Sequence, residues 1–102
     1  MNRARLEELK EFDPRRRVVK IVHDSPQVRL ALFCLGPGQE VAAHTAPSQV
    51  VFYALEGQGR VTVGTEEAPI QAGDLVFCPP QVPHGIKGGP LVALAVVAPR
   101  PE

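Results

Sequence analysis

Three histidines, His23, His44 and His84, are the side chains in this sequence best suited to chemistry. Imidazole ligates transition metals, titrates near neutral pH and serves as a general base. His44 and His84 share a setting. Each follows a stretch rich in Gly or Pro and enters a strand-like run, "HTAPSQVVFYALEG" in the first case. If strand alternation holds across Pro47, residues 44 and 46, and then 50, 52 and 54, share one inward face. Ala46, Val50 and Phe52 would then form an apolar pocket behind His44, at the mouth of a closed β fold where small ligands bind. The residue types leave His44 open to three roles: metal ligand, catalytic base, or hydrogen bonder at a strand edge. His23 lies on an earlier run and has no such placement.

Other chemistries find little support. No serine sits in a GxSxG turn, and the glycines at 36–38 and 57–59 precede strands rather than helices, so they are not phosphate loops. Cys34 and Cys78 lie far apart, without CxxC or metal-ligand spacing. Their apolar neighbours predict two reduced, buried thiols in a cytoplasmic protein.

The elements that must position the histidines are mostly strands. "RVVKIV", "VRLALFCL", "VVFYALE", "RVTVG", "DLVFCP" and "LVALAVV" are rich in β-branched and apolar residues. The turn-forming stretches "DSPQ", "GPGQE", "EGQG", "TEEAP", "QAGD" and "KGGP" separate them. The spacing predicts an all-β barrel or sandwich over about residues 18–98, with a hairpin turn at Glu56-Gly57-Gln58-Gly59. Before it, Leu6, Leu9 and Phe12 predict a short amphipathic helix over about 3–12, with Asn2 as N-cap. The 102 residues form one domain.

A formal net charge of zero argues against nucleic acid as a partner, and Arg15-Arg16-Arg17 reads as solvated surface. The N-terminus lacks the apolar middle of a signal peptide, and no apolar run approaches the ~20 residues that span a bilayer. One asparagine, an excess of arginine over lysine and frequent proline fit a heat-tolerant source. "LALFCL", "VVFYAL" and "LVALAVV" are apolar on both faces. One short helix cannot cover that surface, which predicts a homodimer.

Two motifs carry a resemblance. "GQEVAAHTAPSQVVFYALEG" is similar to the first motif of the cupin family, with Gly38, His44 and Gly57 at matching places. "GDLVFCPPQVPH" resembles the second, through Gly73, Pro79 and His84. The resemblance implies a cupin-type β-barrel, a double-stranded β-helix or jelly roll, over nearly the whole chain. It also implies a metal site of three histidines and a glutamate, and here the sequence departs from it. Ala46 stands at the second histidine position, Val50 at the glutamate, and Gln81 at the glycine of the second motif.

His44 and His84 therefore remain as the metal candidates, with Gln49 and Cys78 as weaker additions. Glu40 shares the strand parity of His44 but is ~13 Å away along a strand, too far to share a metal. Two imidazoles hold one divalent transition metal (Zn, Cu, Fe, Mn or Ni) weakly, or none. Three functions follow as expectations: a metal-dependent oxygenase or isomerase of a small organic substrate, a metal-free module that binds a small molecule, or a metal-free acid–base enzyme. The surviving histidine from each motif favours the reduced metal site. Tyr53, a candidate proton donor for the last, lies on the wrong parity if Val50 faces inward.

Overall fold

The computed structural model describes residues 1–101; Glu102, the last residue of the expected domain, lies outside the described residues. Seven strands make up most of the chain: β1 (Val18–Asp24), β2 (Arg29–Leu35), β3 (Glu40–His44), β4 (Gln49–Val63), β5 (Glu66–Gln71), β6 (Leu75–Cys78) and β7 (His84–Ala98). All pairings are antiparallel. The sheet order is β1-β2-β7-β4-β5, with β3 paired to β7 and β6 to β4.

β4 and β7, each 15 residues long, pair with one another along almost their full length and belong to both layers of the barrel. Their outer halves, Gln49–Gly57 against Leu91–Ala98, join β2, β1 and β6 in one layer. Their other halves, Gly59–Val63 against His84–Gly88, join β3 and β5 in the second. This is the all-β jelly-roll barrel expected from the sequence, but three of the expected turns lie wholly or mostly inside strands.

Glu56-Gly57-Gln58-Gly59 is not a hairpin turn. β4 continues through it, with register shifts between Ala54 and Glu56 and between Gly57 and Gly59. "KGGP", expected as a turn, likewise lies inside β7. The glycines serve a bend instead. A Cβ on Gly57, which has φ +78, would meet the Pro90 carbonyl oxygen at 2.1 Å, and one on Gly59 would meet that of Lys87 at 2.0 Å. Bulge and turn ask for the same residue types, so composition alone does not separate them. β5, which includes most of "TEEAP", is an edge strand, where Pro69 is tolerated.

The N-terminal helix is one turn, α1 (Leu6–Leu9), flanked by Arg5 rather than capped by Asn2, and Phe12 is exposed. A helix this short has little stability of its own. Tertiary contacts fix it: Leu9 packs on a small outer cluster of Leu32, Cys34 and Val92, and Lys10 pairs with Glu7 and Glu56. The main core lies between the layers and includes Leu35, Val50, Phe52, Ile70, Cys78 and Leu91. Fully buried side chains such as Leu35 and Leu91 each stabilise the fold by roughly 1.5–3 kcal/mol. Both cysteines are buried and unbridged, Cys34 in the outer cluster and Cys78 in the core.

Gln81 adopts φ +65, the left-handed conformation that glycine takes freely and other residues adopt at roughly 1–2 kcal/mol. A backbone hydrogen bond from Gln81 to the Ala46 carbonyl, 2.8 Å, holds it there. The contact joins the turn before His84 to the loop after His44.

Candidate functional site

β3 meets β7 with His44 directly opposite His84, after a register shift between Val41 and His44. The shift changes the parity read from the sequence. Val41 and His44 both line the same cavity, whereas Glu40 is exposed and lines none of it. Glu40 is thus excluded by direction as well as by distance. The loop that carries Ala46 is held from two sides, by the Gln81 amide and by the buried Ser48 hydroxyl, which donates to the Pro99 carbonyl.

The two imidazole rings have centroids 4.6 Å apart and planes tilted by 57°. Phe52 and His84 are packed edge to face, with ring centroids 6.0 Å apart. His84 is 3% exposed, while His44 is open to solvent. Each ring is tied to backbone two residues before it: His44 Nδ1 lies 3.0 Å from the Ala42 carbonyl oxygen in β3, and His84 Nδ1 lies 3.1 Å from that of Val82 in the turn that precedes β7. A carbonyl only accepts, so Nδ1 carries the proton in both rings and Nε2 keeps the lone pair. Burial pushes the His84 pKa below the usual imidazole value; the nearby His44 adds to that shift, and the Val82 carbonyl opposes it.

The cavity has a volume of about 240 Å³, somewhat below the usual range for drug-sized ligands. It brings together His44, His84, Ala46, Val50 and Phe52. Gln49 and Cys78 are not among its lining residues: Gln49 is exposed on the other face of β4, and Cys78 is enclosed in the core, where burial raises its thiol pKa. Both are therefore set aside as ligands. His23 sits on the outer surface near Leu30 and Leu94, and Tyr53 is likewise exposed. Sequence reasoning missed Arg29, Ala31 and Phe33, which alternate along β2 onto the cavity. Their signal was the alternation of "RLALF", masked because the residues between them are apolar too.

A second cleft of about 500 Å³ lies beside the bends of β4 and β7. Two of its three charged residues are already engaged, Arg60 by Glu67 and Asp74 by the Gln71 amide, and only Lys87 among the described residues remains for a ligand. The histidine cavity is the better candidate because its polar atoms converge within an apolar wall.

A resident metal centre does not fit this donor set. Among the described residues no group of three or more His, Cys, Asp or Glu converges. A catalytic zinc has three protein ligands, and a non-haem iron has two histidines with a carboxylate. Val50, at the glutamate position, is 3% exposed and forms part of the apolar core.

The depressed His84 pKa has a direct consequence for stability. Folding favours its neutral form, so the stability linked to this group is fully present above the unfolded value of 6.5 and is lost as pH falls through it toward the folded pKa. Denaturant titrations should show wild-type stability falling as pH is lowered from about 7 through 6.5. His84→Gln should fall less over that window. Equal losses would place the pH dependence elsewhere.

Comparison with known proteins agrees with the geometry. The Cupin domain family model matches residues 31–97. The crystal structure of TT1209 from Thermus thermophilus is 36% identical, with a TM-score of 0.94 over 99% of this chain and 100% of that one. An RmlC-like cupin protein from Desulfovibrio desulfuricans is 28% identical, with a TM-score of 0.88 over 97% of both chains. An uncharacterized protein of Methanocaldococcus jannaschii, MJ1618, is 38% identical over 40 residues, which span 39% of this chain and only 32% of that protein. With the motif histidines paired across β3 and β7 and most of the barrel matched, the chain belongs to the cupin domain family.

Proposed function

We propose that this cupin binds a small organic molecule in the cavity between its two layers, without needing a metal. The observation that carries this reading is the pair of Nδ1-tethered imidazoles, whose Nε2 atoms are left as acceptors beside an apolar wall. A ligand that fits offers an O–H or N–H donor to one of them and a hydrocarbon body to Phe52, Val50 and Ala46. The cavity supplies no carboxylate among the described residues, and Tyr53 faces away. An acid–base enzyme would therefore have to work with imidazole alone, which favours binding over catalysis.

A weaker second reading rests on the same tethers. A backbone carbonyl holding Nδ1–H is the usual support for a metal-ligating imidazole. Two such rings hold a divalent transition metal weakly, with water or ligand atoms filling the remaining positions.

We further propose a homodimer through the outer face of β4, β6 and β7. Tyr53, Leu75 and Phe77 are exposed there, at 37%, 54% and 64%. Phe77 pairs with Val51 and Leu75 with Tyr53, while Val51 and Tyr53 pair in turn with Val96 and Leu94. These rows contain no charged residue, so the face is complementary to a second copy of itself in a two-fold arrangement.

Two experiments test these readings. Titration of chelator-treated protein with phenol, followed by NMR, should shift Phe52, His44 and His84. Alanine at His84 should weaken binding by roughly 2–12-fold, the range for one lost hydrogen bond. Shifts confined to other surfaces would refute the pocket. For the assembly, the solution mass should be twice the 11.0 kDa chain mass, and Phe77→Glu should halve it. A wild-type monomer at micromolar concentration would remove the dimer.

A further inference from the structure

Among the described residues the cavity contains one permanently charged side chain. Arg29 lines it from β2, on the same face as Ala31 and Phe33 and opposite Val97. No Asp or Glu lines the cavity among the described residues. We infer that the ligand is a small carboxylic acid, its carboxylate held by Arg29 and its apolar body lying between Phe33 and Phe52. This rests on the pocket reading above and adds the charge of the ligand to it.

Three observations support the assignment. The first is geometry. Arg29, Val97 and Val50 form one row across the first layer, and His44 and His84 are paired in the second. Both rows bound the same cavity, so a molecule inside has a cation on one wall and imidazole acceptors on another. The second is availability. Arg29 reaches Asp24 only through long contacts, 3.4 Å from Nε and 3.5 Å from Nη2, and its side chain is 34% exposed. Exposed pairs of this kind hold weakly, so the guanidinium is free to exchange partners. The third is the local balance of charge. Asp24 is also approached by Arg100, at 3.7 Å. Among the described residues one carboxylate thus serves two guanidiniums and leaves one positive charge beside the cavity. A ligand carboxylate could take the bidentate fork of Arg29 while Arg100 keeps Asp24 neutralised.

The acceptors on the histidine wall extend the description. A hydroxyl at the far end of the ligand would donate to Nε2 of His44 or His84, which makes a small apolar hydroxy acid the best match.

The test compares 4-hydroxyphenylacetate with its neutral isostere, 4-hydroxyphenylacetamide, by NMR titration of chelator-treated protein. At about pH 8.5 imidazoles are uncharged, so they add no attraction for an anion. The acid should bind at least about tenfold more tightly than the amide. Arg29→Gln should reduce that preference below about twofold, Arg29→Lys should keep part of it, and added salt should weaken it. If acid and amide bind the cavity equally, or if Arg29→Gln leaves the preference intact, the carboxylate assignment is wrong and the apolar pocket stands. If neither binds the cavity, the assignment fails; the phenol titration then decides separately whether the pocket fails with it.

Discussion

Close backbone approach where β4 bends against β7 sets the geometry of the whole barrel. At Gly57 and Gly59 the strands come so near that a Cβ would overlap the facing carbonyl oxygens. That contact lets two 15-residue strands stay paired through register shifts and contribute to both layers. Everything of functional interest depends on it. The half of β7 that starts at His84 carries β3, and the half that ends at Ala98 carries β2 and Arg29. The cavity exists because these two halves belong to facing layers.

Measured against the family's motif pattern, the site keeps two of four ligand positions. Two of the three motif histidines remain, His44 and His84, each anchored by a backbone carbonyl two residues before it. Where the family pattern has a glutamate, Val50 packs into the core, and Ala46 lines the cavity in place of a second histidine. Removing a carboxylate and an imidazole takes away the charge that holds a cation and leaves a surface suited to hydrocarbon. The Ala42 and Val82 carbonyls orient the two rings and fix two acceptors at the edge of that surface. Arg29 then becomes the only full charge in the cavity among the described residues.

How much of this was legible in the sequence depended on the kind of signal. Alternation placed Val50, Phe52 and Ala54 on one buried face, because period two survives as long as a strand is regular. The motif histidines were legible through their spacing. Irregular positions were not. The register shift before His44 reversed the side of Glu40, and the glycines at 57 and 59 read as a turn because turns and bulges need the same residues. The helix was overestimated: periodicity alone gave it ten residues, but its single turn is held by Leu9 and Lys10. Arg29 was invisible as a site residue because its cavity is made by strands distant in sequence.

The tautomeric state of the two paired imidazoles decides whether the cavity offers acceptors. Long-range ¹H–¹⁵N correlation spectra of the histidine rings, recorded at about pH 8.5 where imidazole is neutral, report it directly. The structure predicts that His44 and His84 both carry their proton on Nδ1 and leave Nε2 bare. A proton on Nε2 of either ring would contradict its tether to the backbone carbonyl and remove an acceptor from the cavity wall.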